Sequence, residues 1–301
     1  MTTLTRRSIL ASAAAIPLAQ VARASAPMLG AAEPRFHRVT LGDMDVTTLL
    51  ADTRVVPNPH TIFGLNVDDA AFSETSEAAN LPTDTSRFFF APTIVNTGAS
   101  LVLFDTGTNG ADIVLALAAA GYTPDQVDMV MITHMHGDHI GGLMTDGTPT
   151  FPNAEYAAGT VEYEAWAAMD NDLFNANVRP LADKMTMLGD GDTVLPGITA
   201  EAAFGHTPGH MTFALESSGK SLLVAGDFAN HYIWSLARPD WEVKFDMDKS
   251  AAAKTRRRML DRLATERMPF IGYHMPFPSL GYVERDGNGY TYAPESYQLS
   301  V

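Results

Sequence analysis

The chain has 301 residues, of which 46% are hydrophobic and 18% charged, and this composition favours a globular protein with a full core over a disordered one. Its formal net charge of -15 disfavours nucleic acid as a partner, because nucleic-acid binding depends on cationic surface that releases counterions. The absence of cysteine excludes disulfides, thiolate metal ligands and a cysteine nucleophile. These properties favour a small neutral or apolar molecule as the binding partner.

The first residues have the layout of an export signal. An Arg-Arg pair at residues 6–7 precedes an alanine-rich apolar stretch over residues 9–21, and residues 22–24 offer an Ala-Arg-Ala cleavage site. The apolar stretch is too short to span a bilayer stably, and no second stretch approaches transmembrane length. We therefore predict a twin-arginine signal peptide over residues 1–24, a single domain over residues 25–301, and a periplasmic or secreted protein.

Strands and helices alternate along the rest of the chain, which predicts an α/β protein. Apolar and β-branched runs between turn signals predict short strands at residues 39–41, 46–50, 93–96 and 101–104. Amphipathic stretches predict helices at residues 111–120, 160–169 and 250–266. The last helix carries Arg256 among four arginines that we expect to lie on a solvated face. The segments 58–84 and 229–249 lack periodicity and are expected to be irregular loops that shape a pocket.

Four further predicted strands each lead to a histidine or an aspartate. They lie at residues 129–133, 198–204, 222–225 and 270–273, and the residues that they lead to are His134, His206, Asp227 and His274. Buried strands of layered α/β proteins deliver functional groups at their C-terminal ends, where the ends of neighbouring strands meet at one edge of the sheet. We therefore expect these four side chains to converge.

One hexapeptide concentrates the chemistry of the chain. His134-Met135-His136-Gly137-Asp138-His139 places three imidazoles and a carboxylate directly after a buried strand. Clustered imidazoles repel one another when they are protonated, and a divalent cation removes this repulsion because each coordinated ring must be neutral. The hexapeptide therefore predicts a metal site built from histidine and carboxylate.

The hexapeptide resembles the His-x-His-x-Asp-His signature of the metallo-β-lactamase superfamily. Later motifs stand in the superfamily's order, namely Gly205-His206-Thr207-Pro208-Gly209-His210, Ala225-Gly226-Asp227 and Ile271-Gly272-Tyr273-His274. Phe104-Asp105-Thr106-Gly107 matches an element that buttresses the site in that family. The resemblance covers residues 36–298 and implies a four-layer αβ/βα sandwich in which two mixed β-sheets pack face to face.

The resemblance also implies two divalent metal ions. The first would be bound by His134, His136 and His206, and the second by Asp138, His139 and His274, with Asp227 bridging both. Five histidines and two carboxylates suit zinc, with iron, manganese and cobalt as alternatives. His210, which follows in the same loop as His206, is expected to support a ligand rather than to be one.

Within the superfamily, the chain most resembles the methyl parathion hydrolase group and related exported lactone and ester hydrolases. The similar segments are Leu41-Gly42-Asp43, Phe151-Pro152-Asn153-Ala154 and Gly289-Tyr290. Trp166 stands where that group has a pocket tryptophan. The segment after Gly107 departs from the group, since it carries no aromatic residue before Tyr122, where the group has an aromatic pocket wall.

These resemblances imply an exported metal-dependent hydrolase of lactones or carboxylic esters, with a hydroxide that bridges the two metals as the nucleophile. Asp138 and Asp227 are the expected catalytic carboxylates. Trp166 and His231 are the expected pocket residues, and residues 88–90, three phenylalanines, fit either a pocket lip or a dimer contact. Phosphotriester hydrolysis is the main alternative, followed by β-lactam hydrolysis and a di-iron redox protein, and a homodimer is the expected assembly.

Overall fold

The structure is a computed structural model that describes residues 27–296. The chain divides at Glu33, and residues 27–33 contain no helix or strand. The predicted signal peptide, residues 1–24, lies outside the described residues. Over the described range, none of the helices is both long enough and apolar enough to cross a bilayer.

The described secondary structure begins after Pro34. The strands are β1 (Phe36–Leu41), β2 (Met44–Leu49), β3 (Asp52–Pro57), β4 (Thr85–Phe90), β5 (Thr93–Asn96), β6 (Leu101–Phe104), β7 (Met129–Ile132), β8 (Met144–Thr145), β9 (Thr148–Pro149), β10 (Glu155–Gly159), β11 (Met185–Leu188), β12 (Thr193–Leu195), β13 (Ile198–Ala202), β14 (Met211–Ser217), β15 (Lys220–Gly226), β16 (Phe270–Gly272), β17 (Leu280–Asp286) and β18 (Gly289–Pro294). The α-helices are α1 (Asp69–Ala78), α2 (Gly110–Ala120), α3 (Gly137–Ile140), α4 (Thr160–Ala167), α5 (Asp172–Asn177) and α6 (Lys249–Glu266). Short 3-10 helices lie at Pro59–Thr61, Pro124–Gln126 and Arg179–Lys184.

Two seven-stranded sheets form the centre of the fold. The first has the order β1-β2-β5-β6-β7-β10-β11, and the second has the order β12-β13-β14-β15-β16-β17-β18. Strands β6, β7, β10 and β11 run parallel to one another, as do β15 and β16. Antiparallel pairs complete both sheets, so each sheet is mixed.

The two sheets pack face to face through a buried apolar layer. Phe104 of β6 and Phe213 of β14 meet across this layer, with ring centroids 5.2 Å apart. On the outer face of the first sheet, α2, α4 and α5 bury residues such as Trp166 and Phe174. On the outer face of the second sheet, α6 buries Leu260. The expected four-layer αβ/βα sandwich is confirmed.

The segment 58–84, predicted to be an irregular loop, contains helix α1. Asp68 caps this helix by accepting a hydrogen bond from the backbone N–H of Ala71 at 2.9 Å. Only Phe72, Thr75 and Ser76 of the helix are buried, so its sequence carries little apolar periodicity. The segment joins β3 to β4, which pair with each other outside the two large sheets.

Candidate metal centre

Strand ends bring the predicted ligands to one place. His134 follows β7 of the first sheet, while His206, Asp227 and His274 follow β13, β15 and β16 of the second sheet. The three strands of the second sheet run in the same direction, so their C-terminal ends share one edge. The short helix α3 turns directly after His136 and presents the remaining ligand side chains of the hexapeptide.

The ligand atoms form three overlapping groups. Within each group, one nitrogen or oxygen atom per side chain lies within 4.8 Å of the others. The groups are His134, His136 and His206; His134, His139 and Asp227; and Asp138, His139 and His274. All seven residues predicted as ligands are therefore brought together, and Asp227 lies between the two sets that the family resemblance assigns to separate ions.

Asp227 lies close to histidines of both predicted ligand sets. Its Oδ2 lies 3.0 Å from Nε2 of His274 and 3.5 Å from Nε2 of His206, and its Oδ1 lies 3.5 Å from Nε2 of His139. Oδ1 of Asp227 and Nε2 of His139 are buried and have no hydrogen-bond partner. Such orphaned buried atoms are costly unless another group satisfies them, and a divalent cation coordinated by both would do so. The donor set thus fits a pair of divalent metal ions.

Two of the rings are neutral at neutral pH. Burial, reinforced by the neighbouring imidazoles, lowers the pKa of His134 well below its ordinary value. Burial likewise lowers the pKa of His136 to about 3. A neutral imidazole has a free lone pair, which metal coordination requires.

The carboxylates of Asp138 and Asp227 and the rings of His139 and His274 carry opposite charges, because their pKa values are shifted in opposite directions. Burial favours the neutral form of Asp138, but the charge of His139 and the hydrogen bond from His274 outweigh it and lower its pKa to about 2. Burial also lowers the pKa of His274, but Asp227 and Asp138 outweigh it and raise the pKa to about 10. The protons on the His139 and His274 rings face the carboxylates of Asp138 and Asp227. A divalent cation bound by the same atoms would replace these protons, so we expect cation binding to release them.

Three of the predicted ligand histidines each donate a hydrogen bond from Nδ1 to a fixed acceptor. Nδ1 of His139 donates to Asp105 at 2.8 Å, Nδ1 of His206 donates to Asp246 at 2.8 Å, and Nδ1 of His274 donates to the backbone oxygen of Phe89 at 2.8 Å. These bonds leave Nε2 of each ring directed at the cluster, which is the arrangement that orients a histidine ligand. Asp105 has the supporting role expected from the Phe-Asp-Thr-Gly motif.

Glu162 of α4 forms hydrogen bonds with both the hexapeptide and the loop that contains His206. Its Oε1 accepts hydrogen bonds from the backbone N–H of Met135 at 2.9 Å and from Nε1 of Trp166 at 2.7 Å. Its Oε2 accepts from Oγ1 of Thr207 at 2.7 Å and from the backbone N–H of Gly209 at 2.8 Å. The hexapeptide and the loop around His206 are therefore held to one buried carboxylate.

His210 contacts the backbone of Asp227, one of the predicted ligands, and the sequence assigned it such a supporting place. Its Nε2 accepts a hydrogen bond from the backbone N–H of Asp227 at 2.9 Å, and the ring is fully buried. Nδ2 of Asn230 donates to Oδ2 of Asp227 at 3.0 Å. The carboxylate and the backbone of Asp227 are thus both fixed from the protein side.

A cavity of about 460 Å³ opens beside the ligand cluster. Its polar wall contains His136, Asp138, Asp227 and His274. Its other lining residues are Arg54, Val56, Ile62, Phe88, Phe90, Thr108, Gly137, Leu173 and Phe245. A mainly apolar cavity with a few convergent polar groups is the usual form of a small-molecule site.

The cavity lining differs from the predicted pocket. Trp166 does not line it, because the indole is buried in the core beside α5 and donates to Glu162. His231 does not line it either, because the ring stacks on Trp234 with centroids 3.9 Å apart. Residues 88–90 alternate between the two faces of strand β4, so Phe88 and Phe90 line the cavity and Phe89 does not.

Sequence reasoning missed the residues that support the cluster from the irregular segment and from α6. Arg256 was expected on a solvated face but is fully buried, and it donates to Oδ2 of Asp246 at 2.7 Å. Asp246 lies in the segment 229–249, which carries no periodic signal. Glu162 could have been found, because it lies one helical turn before Trp166, where a carboxylate beside an apolar residue on the same helix face is unusual.

The chain matches the family model of the metallo-beta-lactamase superfamily over residues 92–271. This range is more than half of the chain and contains all the predicted ligands except His274, which lies three residues beyond it.

Curated relatives match a shorter part. An N-acyl homoserine lactonase of Bacillus thuringiensis is 32% identical over 114 residues, which is 37% of this chain and 43% of the relative. The lactamase-like protein nscB of Neosartorya fischeri is 29% identical over 151 residues, which is 49% of this chain and 39% of the relative. The chain thus spans about two fifths of the length of these relatives.

Solved structures match nearly the whole described chain. The dizinc quorum-quenching lactonase AidC, solved with a product, has a TM-score of 0.81 at 21% identity and covers 88% of this chain and 99% of its own. The hydrolase AbOPH of the beta lactamase superfamily has a TM-score of 0.82 at 23% identity and covers 89% and 99%. At these identities the likeness is one of fold. The family match over more than half of the chain shows that this chain belongs to the metallo-beta-lactamase superfamily.

Proposed function

We propose that this protein is a hydrolase that uses two divalent metal ions, with zinc preferred, to open lactones or cleave carboxylic esters that carry an apolar acyl group. One observation carries the proposal. Residues of the ligand cluster form a polar wall of the cavity, and six of its nine other lining residues supply an apolar wall of aromatic and aliphatic side chains. A substrate with a polar reacting centre and an apolar tail matches both walls.

The reacting centre would lie against Asp138. When bound, two divalent cations supply Lewis acidity that lowers the pKa of a water molecule and polarises a carbonyl group. The protein supplies the proton transfer, because the ionised carboxylate of Asp138 lines the cavity and is 25% exposed. We expect it to accept the proton of the attacking water and to return it to the departing alkoxide oxygen. Asp227, fixed by Asn230 and His210, would hold its position through the reaction.

The acyl group would lie against the hairpin of β3 and β4. Phe88 and Phe90 are buried to 8% and 5% exposure, and their rings lie 5.5 Å from the ring of His274. An apolar group placed between these rings and Ile62 displaces water from the reacting centre, which strengthens the electrostatic interactions there. The names of the curated relatives support a lactone substrate, since one of them is an N-acyl homoserine lactonase.

Export and assembly are part of the same proposal. The Arg-Arg pair at residues 6–7 and the apolar stretch that follows support twin-arginine export to the periplasm or beyond. That route transports folded proteins and suits a metal site that is filled before export. A small neutral or apolar substrate fits the charge of the chain, and a homodimer is proposed from the frequency of twofold assemblies alone.

The first test is metal content and activity of the purified protein. We expect about two zinc ions per chain and turnover of a homoserine lactone and of an aryl ester that a chelator abolishes. A phosphotriester is the alternative substrate, because an aryl leaving group also fits the aromatic wall. A β-lactam completes the panel. Two iron ions without hydrolysis would contradict the proposal and favour a redox protein.

A matched pair of variants tests the cavity itself. Phe88→Ala removes a lining ring, whereas Phe89→Ala removes the neighbouring ring that does not line the cavity. We expect Phe88→Ala to lower the preference for a hexanoyl over an acetyl ester about 10-fold, the scale of a small hydrophobic loss in a pocket. Phe89→Ala should leave that preference within about twofold. Equal effects of the two variants would exclude this cavity as the acyl site.

A further inference from the structure

Asp246 and Arg256 form a buried ion pair that contacts His206, one of the predicted ligands. Asp246 is 2% exposed and Arg256 is fully buried, whereas the ion pairs of Arg257, Arg262 and Arg285 are partly or fully exposed. Nδ1 of His206 donates to Oδ1 of Asp246 at 2.8 Å, and Nη2 of Arg256 donates to Oδ2 of the same carboxylate at 2.7 Å. Each oxygen of Asp246 thus has one partner, and the three side chains form a line from α6 to the ligand cluster.

Arg256 also holds the segment that carries Asp246. Its Nε donates to the backbone oxygen of Phe228 at 2.9 Å, and its Nη1 donates to the backbone oxygens of Pro239 at 2.9 Å and Trp241 at 3.3 Å. Phe228 directly follows Asp227, the ligand shared between the two sets. One guanidinium therefore fixes both ends of the segment between β15 and α6.

We infer that Asp246 and Arg256 are positioning residues for the metal site, with Asp246 setting the tautomer of His206 and Arg256 setting the orientation of Asp246. The inference rests on the proposed function, since it assigns these residues to metal binding. An ionised carboxylate can only accept hydrogen bonds, so it requires a proton on Nδ1 of His206 and leaves the lone pair on Nε2. Nε2 is the atom that faces Nδ1 of His136 at 3.0 Å in the cluster.

The variant Asp246→Asn reverses the direction of the hydrogen bond between Nδ1 of His206 and residue 246, and the side chain keeps nearly the same size. The amide offers one acceptor oxygen and one donor nitrogen, and Arg256 can only donate, so the oxygen must face Arg256. The amide nitrogen then faces Nδ1 of His206 and donates to it. The proton on Nδ1 therefore moves to Nε2, where it blocks coordination.

The experiment combines zinc affinity with the tautomer of His206. Competition titration against a chelator should show one of the two zinc ions bound about 10-fold to 100-fold more weakly in Asp246→Asn. The other ion should change by less than about threefold, because the carboxylate of Asp246 bonds to His206 and Arg256 and not to Asp138, His139 or His274. Asp261→Asn, which alters the exposed pair of Asp261 with Arg285, is the matched control and should leave both affinities within about twofold.

Long-range proton–nitrogen NMR on the unmodified protein tests the inference even where Asp246→Asn does not fold. We expect the proton of His206 on Nδ1, and a proton on Nε2 would overturn the inference. Arg256→Lys, which keeps the charge but not the fork of donors, should weaken the same zinc ion to a lesser extent. A wild-type protein that binds no zinc would overturn the proposed function. Two zinc ions held equally tightly by wild type and Asp246→Asn would overturn the positioning role alone.

Discussion

His231 shows how burial of a single residue can make the stability of this protein depend on pH. Its Nδ1 accepts hydrogen bonds from the backbone N–H groups of Ile233 and Trp234, each at 3.2 Å, and its ring stacks on Trp234. Burial lowers the pKa of His231 from 6.5 to about 3. The folded protein therefore keeps this ring neutral at a pH where the unfolded chain protonates it.

The sign of the effect follows from proton uptake. Between pH 6.5 and about pH 3 the unfolded state binds one more proton at His231 than the folded state, so stability is lost as pH falls through 6.5. His231→Asn keeps an acceptor for the two N–H groups but cannot titrate. Between pH 7.5 and pH 5, we expect wild type to lose about 2 kcal/mol more unfolding free energy than the variant. Urea denaturation at both values measures this.

The difference in pH dependence of the unfolding free energy between wild type and His231→Asn reports on His231 alone, because both proteins contain the clustered histidines. A variant that loses as much stability as wild type on acidification would contradict the assignment of this ring as a buried neutral group.

The candidate metal ligands could be predicted from the sequence where they stand in short motifs. The hexapeptide after β7 identifies four ligand candidates by residue type alone, and the later motifs identify three more. Asp246 could not be found in this way, because an aspartate in an aperiodic segment carries no mark of its spatial partner. Arg256 was misplaced for a related reason, since an arginine in an amphipathic helix is ordinarily solvated.

At the scale of elements, the ligand loop after β13 packs directly on the N-terminus of α4. A Cβ atom at Gly209 would overlap the backbone of Val161 and Glu162. The loop and the helix can approach this closely only because residue 209 is glycine. The same approach brings the N–H of Gly209 within 2.8 Å of Oε2 of Glu162.

Gly209→Ala should therefore separate the loop from α4 and displace His206. We expect a loss of about 1 to 3 kcal/mol of unfolding free energy, the usual cost of overpacking, together with weaker zinc binding. Gly189→Ala is the matched control, since its Cβ would lie 3.4 Å from Oδ2 of Asp192, an ordinary contact. That variant should remain within about 0.5 kcal/mol of wild type. Equal losses in the two variants would show that the approach to α4 has no special role.

Most strands and helices of the two sheets could be placed from the sequence. The strands Thr93–Asn96 and Leu101–Phe104 have the predicted bounds, and the other predicted elements differ from the structure by a few residues at their ends. Buried strands are recognisable because they are continuous apolar runs. The hairpin of β3 and β4 was missed, although it builds the cavity wall. Its pairing joins segments separated by α1, and such pairing leaves no local signal.

At the scale of the whole molecule, the ligand cluster joins the two halves of the sandwich. The hexapeptide belongs to the first sheet and its flanking helix, whereas His206, Asp227 and His274 follow strands of the second sheet. Ligand binding to the folded state alone stabilises that state by RT ln(1 + [L]/Kd). The unfolded chain separates the two halves of the site, so zinc should bind it far more weakly.

Removal of metal should therefore lower the stability of the entire domain. At free zinc 100 times the dissociation constant, each site should add about 2.7 kcal/mol, and the midpoint of thermal unfolding should rise with zinc concentration. Calorimetry of chelated and reconstituted protein measures both. A single transition that shifts as a whole would show that the site links the two sheets. A midpoint independent of zinc would contradict metal binding across the sandwich. A shift confined to one of two separate transitions would place the metal within one sheet only.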